Sequence, residues 1–182
     1  MAARSRRSPA GRVTGRPKGR VPEYFASYKM KPTRFPEGFV LVVDTREQES
    51  PLLKRMPKGL VMKSDTLKNG DYSILGFEDV FAIERKGISD LWSYCGSERD
   101  KTVEKMRRFR DMEWVGLVIE ARESDIICPQ PWSKMSPESV RQALVSFDVR
   151  YGVHIYYNDD RDQVARWLMD RAVKFYEIKK EC

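Results

Sequence analysis

Short apolar runs that end abruptly in charge constrain this chain more than any other feature. Phe39–Val43 is apolar throughout and stops at Asp44; Val80–Glu84 runs into Arg85 and Lys86; Val115–Ile119 is apolar at nearly every position. Runs this short, without polar alternation, read as strands covered on both faces rather than as half-exposed strands or buried helices. Such strands need helices on both sides of their sheet, and the intervening stretches supply them. Ile88–Tyr94 and Glu98–Met112 read as helices, and Asp160–Lys180 as a long terminal one. A further helix starts at Ser136-Pro137-Glu138-Ser139, with proline at the first helical position, and runs to about Tyr151. Leu52, Leu53 and Met56 suggest a helical turn, and a weaker strand is expected near Leu60–Lys63. Lys68-Asn69-Gly70-Asp71 is a turn signal. Tyr72–Leu75 and Val80–Glu84 form a hairpin around Gly76-Phe77-Glu78-Asp79, and Val153–Tyr157 is a last strand after the Pro129–Pro137 loop. The expected architecture is one α/β domain with a central mixed sheet flanked by helices.

Charge divides the 182 residues unevenly. Residues 1–36 hold ten Lys/Arg against the single acid Glu23, and the remainder carries a net charge of −2. The start of the chain is rich in Pro, Gly, Ser, Ala and Arg without apolar periodicity, so residues 1–36 are expected to be a disordered basic arm and 37–182 the folded domain. A flexible polycation attracts nucleic acid without sequence preference, although a solubilising tail has the same composition. No apolar run approaches the roughly 18 residues of a membrane span, and no hydrophobic segment follows the basic start. Cys95, Cys128 and Cys182 follow neither a zinc nor a disulfide spacing, so reduced thiols and a cytoplasmic location are expected.

The acids at the run ends carry the chemistry. Asp44 and Glu47 close the first strand, Asp71 follows the Asn-Gly turn, and Glu84-Arg85-Lys86 ends the next run, with Asp90 four residues beyond Lys86. Strand alternation places Glu84 and Lys86 on one face with Ala82, and Arg85 on the other with Ile83. A Glu and a Lys side by side at a strand end, with a carboxylate from a neighbouring strand, is what metal-dependent phosphodiester hydrolysis requires. Hard oxygens bind Mg²⁺ or Mn²⁺, an ammonium can hold the attacking water, and Arg46 or Arg85 can stabilise transition-state charge. By spacing alone, a solvated salt-bridge cluster explains the same residues.

The ordered set Asp44-x-Arg46-Glu47, Gly70-Asp71-Tyr72 and Glu84-Arg85-Lys86-x-x-x-Asp90 resembles the signature of the XPF-type structure-specific nuclease family. The resemblance extends more weakly over residues 39–180 and is nearest to a stand-alone bacterial or phage form. It implies a restriction-endonuclease-like three-layer fold and Mg²⁺- or Mn²⁺-dependent cleavage of DNA near junctions of single and double strands. It also implies that Asp71 and Glu84, with Asp44, are metal ligands, and that Arg46, Glu47, Arg85, Lys86 and Asp90 support catalysis. Tyr94 and Val103 stand where the family often has Ser and Gln. A non-catalytic DNA-binding scaffold and a resolvase-like nuclease are the competing readings; the retained acids speak against the scaffold.

Further features widen the site. Arg99 falls within the weaker resemblance, and Lys101, Lys105 and Arg108 lie on one side of the Glu98–Met112 helix, with Val103, Met106 and Phe109 as its buried stripe. These basic residues are candidates for gripping a DNA backbone. His154, alone in an apolar strand, reads as structural. Trp132 is expected to cover a helix end. No His/Ser or His/Cys pattern suggests a protein nucleophile. In the terminal helix, Ala165, Met169, Ala172, Val173 and Tyr176 widen the apolar arc beyond what a sheet covers. The excess predicts a homodimer through residues 160–180, with wedging against the Pro137–Tyr151 helix as the alternative.

Overall fold

The computed structural model describes residues 34–47 and 49–181. Most of the basic arm therefore lies outside the described residues. Its last part does not: Phe35 stacks on Phe39 with ring centroids 6.0 Å apart, so packing begins slightly before residue 37.

Six strands form one mixed sheet: β1 Leu41–Asp44, β2 Met62–Asp65, β3 Tyr72–Ile74, β4 Phe81–Lys86, β5 Trp114–Ile119 and β6 Val153–Tyr157. Their spatial order is β2-β1-β3-β4-β5-β6. The β1–β3 and β3–β4 pairs are antiparallel; the β1–β2, β4–β5 and β5–β6 pairs are parallel. The apolar runs become β1, β4 and β5 in the middle of the sheet, where both faces are covered. The edge strand β2 starts two residues later than expected and is exposed along its length. Without a buried face, it leaves no alternation to mark its register.

The helices are α1 Ile88–Cys95, α2 Arg99–Arg110, α3 Glu123–Ile126, α4 Pro137–Tyr151 and α5 Arg161–Glu181, with 3-10 turns at Thr45–Glu47 and Pro51–Arg55. The single-turn α3 has no periodicity to announce it. Ser136 Oγ accepts the Ser139 N–H at 3.1 Å with Pro137 behind it, fixing the start of α4 as the sequence suggests. Among the described residues no helix is long and apolar enough to cross a membrane.

The core has two layers, one on each face of the sheet. Ala82, Val115, Leu117 and Ile119 pack with Leu91, Met106, Phe109, Val140 and Leu144 of α1, α2 and α4. Leu41, Val43, Tyr72, Ile74, Phe81, Ile83 and Val118 pack with Val164, Leu168, Met169 and Ala172 of α5. Gly116 lets α5 approach closely: a Cβ there would sit 2.8 Å from the Trp167 ring. The buried residues of α2 are Thr102, Met106 and Phe109; Val103 is only half-buried, which rotates the helix from the stripe expected.

The apolar surplus of α5 has an intramolecular cause. Ala165, Met169, Ala172 and Tyr176 are all buried within the chain. The covering element is not α4, which lies against the opposite face, but the Pro51–Arg55 turn together with Phe39 and Phe77. Tyr176 meets Phe39 edge-on at 5.4 Å and donates its hydroxyl to Glu37 O at 3.0 Å. The premise of a homodimer through this face, an exposed apolar excess, is thereby removed. His154 stacks on Trp114 at 5.2 Å, a structural contact, whereas Trp132 is 57% exposed and does not serve as a helix cover.

Candidate active site

Register assembles the site at the ends of the central strands. Val43, Tyr72 and Ile83 pair across β1, β3 and β4, and their side chains enter the α5 layer. One residue along, the pleat turns Asp44, Asp71 and Glu84 to the other face, toward α1 and α2. Backbone bonds hold this alignment: Asp44 N donates to Asp71 O at 2.9 Å and Asp71 N to Ile83 O at 2.8 Å. Gly70, at φ +73°, makes the preceding turn, and a Cβ there would sit 3.0 Å from both the Ala82 Cβ and Ile83 O.

Glu84 is fully buried and carries an ammonium on each oxygen. Lys86 Nζ lies 2.7 Å from Oε1, and Lys105 Nζ, from α2, lies 2.5 Å from Oε2. Burial acts to raise the Glu84 pKa, but the charges of Lys105 and Lys86 outweigh it and hold the group ionised below its usual range. Asp71 shows the opposite balance. Burial and the neighbouring charge of Glu84 push its carboxyl up to about 6, although its Oδ2 accepts the Arg85 N–H at 2.7 Å. Lys86 is raised, because Glu84 and Asp71 outweigh its desolvation, and it sits 5.1 Å from the centre of the Tyr94 ring. Burial and then the charges of Glu84 and Asp71 push the Tyr94 phenol well above its ordinary range, and among the described residues its hydroxyl has no hydrogen-bond partner.

The opposite face carries a second charged chain. Arg85 Nε donates to Glu47 Oε2 at 2.9 Å, and the Tyr72 hydroxyl donates to the same oxygen at 3.2 Å. Arg85 Nη1 also lies 3.4 Å from Glu120 Oε2, which Arg161 of α5 approaches at 3.1 Å. Sequence reasoning missed Glu120 as a partner and Lys105 as a neighbour of Glu84. Glu120 follows an apolar strand, as Asp44 does, so a signal for it existed; Lys105 had none beyond its helix.

The other candidates fall into place around this centre. Asp44 accepts from Arg46 Nε at 2.6 Å, Arg46 Nη2 at 2.9 Å, and the Arg46 and Leu67 N–H groups at 2.9 Å each. Hydrogen bonding by Arg46 holds its carboxyl down to about 2. Asp44 thus braces the Arg46 loop, and both its oxygens are committed there. Asp90 is exposed in the first turn of α1, close enough to Lys86 to favour its charge. Arg99 and Lys101 are exposed on α2. Arg108 donates to Asn69 Oδ1 at 3.3 Å, beside the turn that carries Asp71.

Asp71 and Glu84 fit a hard divalent cation. They are carboxylates at the ends of neighbouring strands on one face, they repel each other, and among the described residues Glu84 Oε1, though ion-paired with Lys86, accepts no hydrogen bond of good geometry. Among the described residues no group of three or more Asp, Glu, His or Cys gathers to hold a metal, and Asp44 stays with its own loop.

Strand-end carboxylates thus lie beside a lysine on the mixed sheet of an α/β domain with helices on both faces. The chain belongs to the ERCC4 domain family, whose model matches residues 43–170, and its fold is that of the XPF nuclease domain. It is similar to the structure of XPF from Aeropyrum pernix, with a TM-score of 0.57 and 20% identity over 75% of this chain and 61% of that one. It is also similar to XPF from Aeropyrum pernix in complex with DNA, with a TM-score of 0.53 and 21% identity over 77% of this chain and 66% of the other. The chain thus spans under two thirds of the length of the XPF chains it matches. No curated protein matches it.

Proposed function

We propose that this domain is a Mg²⁺- or Mn²⁺-dependent DNA endonuclease that hydrolyses phosphodiester bonds near junctions of single- and double-stranded DNA. The observation that carries this reading is the fully buried Glu84 beside Asp71, on one face of two central strand ends, with Lys86 against it. Family membership supports nuclease chemistry, and the similar structure of XPF in complex with DNA supports DNA as the partner. Preference for branched substrates rests on the family signature alone.

Asp71 and Glu84 would hold the ion, which when bound neutralises phosphate charge and lowers the pKa of a coordinated water. Lys86 keeps an ammonium at the carboxylate edge, where it can orient the attacking water and donate to a phosphate oxygen. Arg46, with its side chain 73% exposed while anchored to Asp44, presents a fixed cation at the rim. Glu47, which also accepts from the Tyr72 hydroxyl, fixes Arg85 from beneath, and the Arg85 N–H in turn orients the Asp71 carboxylate. Asp90 adds negative charge near Lys86. Arg99, Lys101 and Arg108, exposed along α2, are the cations that would meet backbone phosphates.

Incubating the protein with labelled fork, flap and duplex DNA, with Mg²⁺, Mn²⁺ or EDTA, tests the proposal. Cleavage should require the metal. Glu84→Ala and Asp71→Ala should each lower it by roughly a thousandfold or more while DNA affinity stays close to wild type, because removing a ligand abolishes water activation and charge neutralisation together. Retained cleavage in both variants refutes the mechanism; DNA binding without cleavage by the wild type favours a scaffold role.

A further inference from the structure

Lys105 holds a position that backbone gripping does not explain. On α2 it lies between the buried Thr102, Met106 and Phe109, and its side chain is 24% exposed, against 63% for its neighbour Arg107. The stem crosses near the Phe109 ring, with Nζ 5.8 Å from the centroid, and the ammonium ends 2.5 Å from Glu84 Oε2. Lys86 occupies the other oxygen at 2.7 Å. Two carboxylates, Asp71 and Glu84, are therefore balanced by two ammonium groups inside one largely enclosed cluster.

We infer that Lys105 weakens divalent-cation binding by competing for the Glu84 carboxylate. This inference rests on the proposed metal role of Asp71 and Glu84. A cation entering a balanced cluster gains little Coulomb attraction and must compete with both ammonium groups for the Glu84 carboxylate. With one ammonium removed, the cluster carries a net negative charge in a poorly solvated place, where electrostatic effects exceed those at the surface. A displaced Lys105 ammonium is then free to meet the anionic DNA backbone, so that metal and DNA binding favour each other reciprocally.

The test measures Mn²⁺ binding to the full chain without DNA, reading free Mn²⁺ by electron paramagnetic resonance. Lys105→Met removes the charge; Lys105→Gln removes it but keeps a hydrogen-bond donor for Glu84, which guards against a variant that fails to fold. Both should bind Mn²⁺ about tenfold more tightly than wild type, the scale expected for losing one nearby like charge. Lys105→Arg should match the wild type, and Glu84→Gln should bind far more weakly. Equal or weaker affinity in both neutral Lys105 variants, with Glu84→Gln still impaired, overturns the inference and leaves the metal reading standing. A wild type and Glu84→Gln that bind Mn²⁺ alike overturn both.

Discussion

Asp44 and Glu84 lie at the ends of apolar strands on either side of β3 and are equally buried, yet their partners give them different chemistry. Asp44 receives a guanidinium in two-point contact and two backbone N–H donors, so its carboxylate is spent on holding a loop. Its pKa of about 2 lies below the unfolded value of 3.8, so its contribution to stability is complete above about pH 4 and is lost as pH falls toward 2. Because Arg46 is largely exposed, the contribution is about 1–2 kcal/mol after screening. Asp44→Asn should therefore lower the urea midpoint at pH 6 and lose part of that deficit at pH 2.5. A deficit that is the same at both pH values would show that the charge is not what matters. The carboxylates at strand ends were legible as a set, because apolar runs that stop in charge announce themselves. Which of them is bonded to its own loop was not, because the Leu67 N–H that completes the Asp44 bonding comes from 23 positions along the chain.

At the scale of elements, α5 shows how one apolar pattern admits more than one kind of cover. Its wide apolar arc is real, but the second flank is filled by Phe39, Phe77 and the Pro51–Arg55 turn rather than by another copy. Met169→Glu should therefore unfold the domain rather than dissociate an assembly. An unpaired carboxylate at a site 2% exposed costs about 3 kcal/mol or more. Val149→Glu on α4, at a site 81% exposed, should change stability by less than about 0.5 kcal/mol. Urea denaturation followed by circular dichroism, with sedimentation equilibrium on the same samples, separates the outcomes. A folded Met169→Glu monomer derived from a wild-type dimer would restore the interface reading.

At the scale of the molecule, charge and chemistry are separated along the chain: nine Lys/Arg lie within residues 1–33, and the strand-end acids begin at Asp44. Deleting residues 1–33 should weaken DNA binding about equally for all sequences and flatten its salt dependence. The log–log slope should fall by roughly 0.9 for each duplex phosphate that the arm had neutralised. A titration at two ionic strengths checks this, and an unchanged slope would make the arm a bystander. Cleavage at saturating DNA should be nearly unaffected. The division between sequence and structure has the same physical origin throughout. Strand cores, helix starts and the face shared by Glu84 and Lys86 are set by residues within a few positions of one another, so periodicity and capping determine them from the sequence alone. The ammonium of Lys105 on Glu84, which stands 21 positions away in the chain, the Arg85–Glu120 contact and the second cover of α5 follow from sheet order and helix rotation. Those are decided by packing of the whole core, and only the tertiary structure displays them.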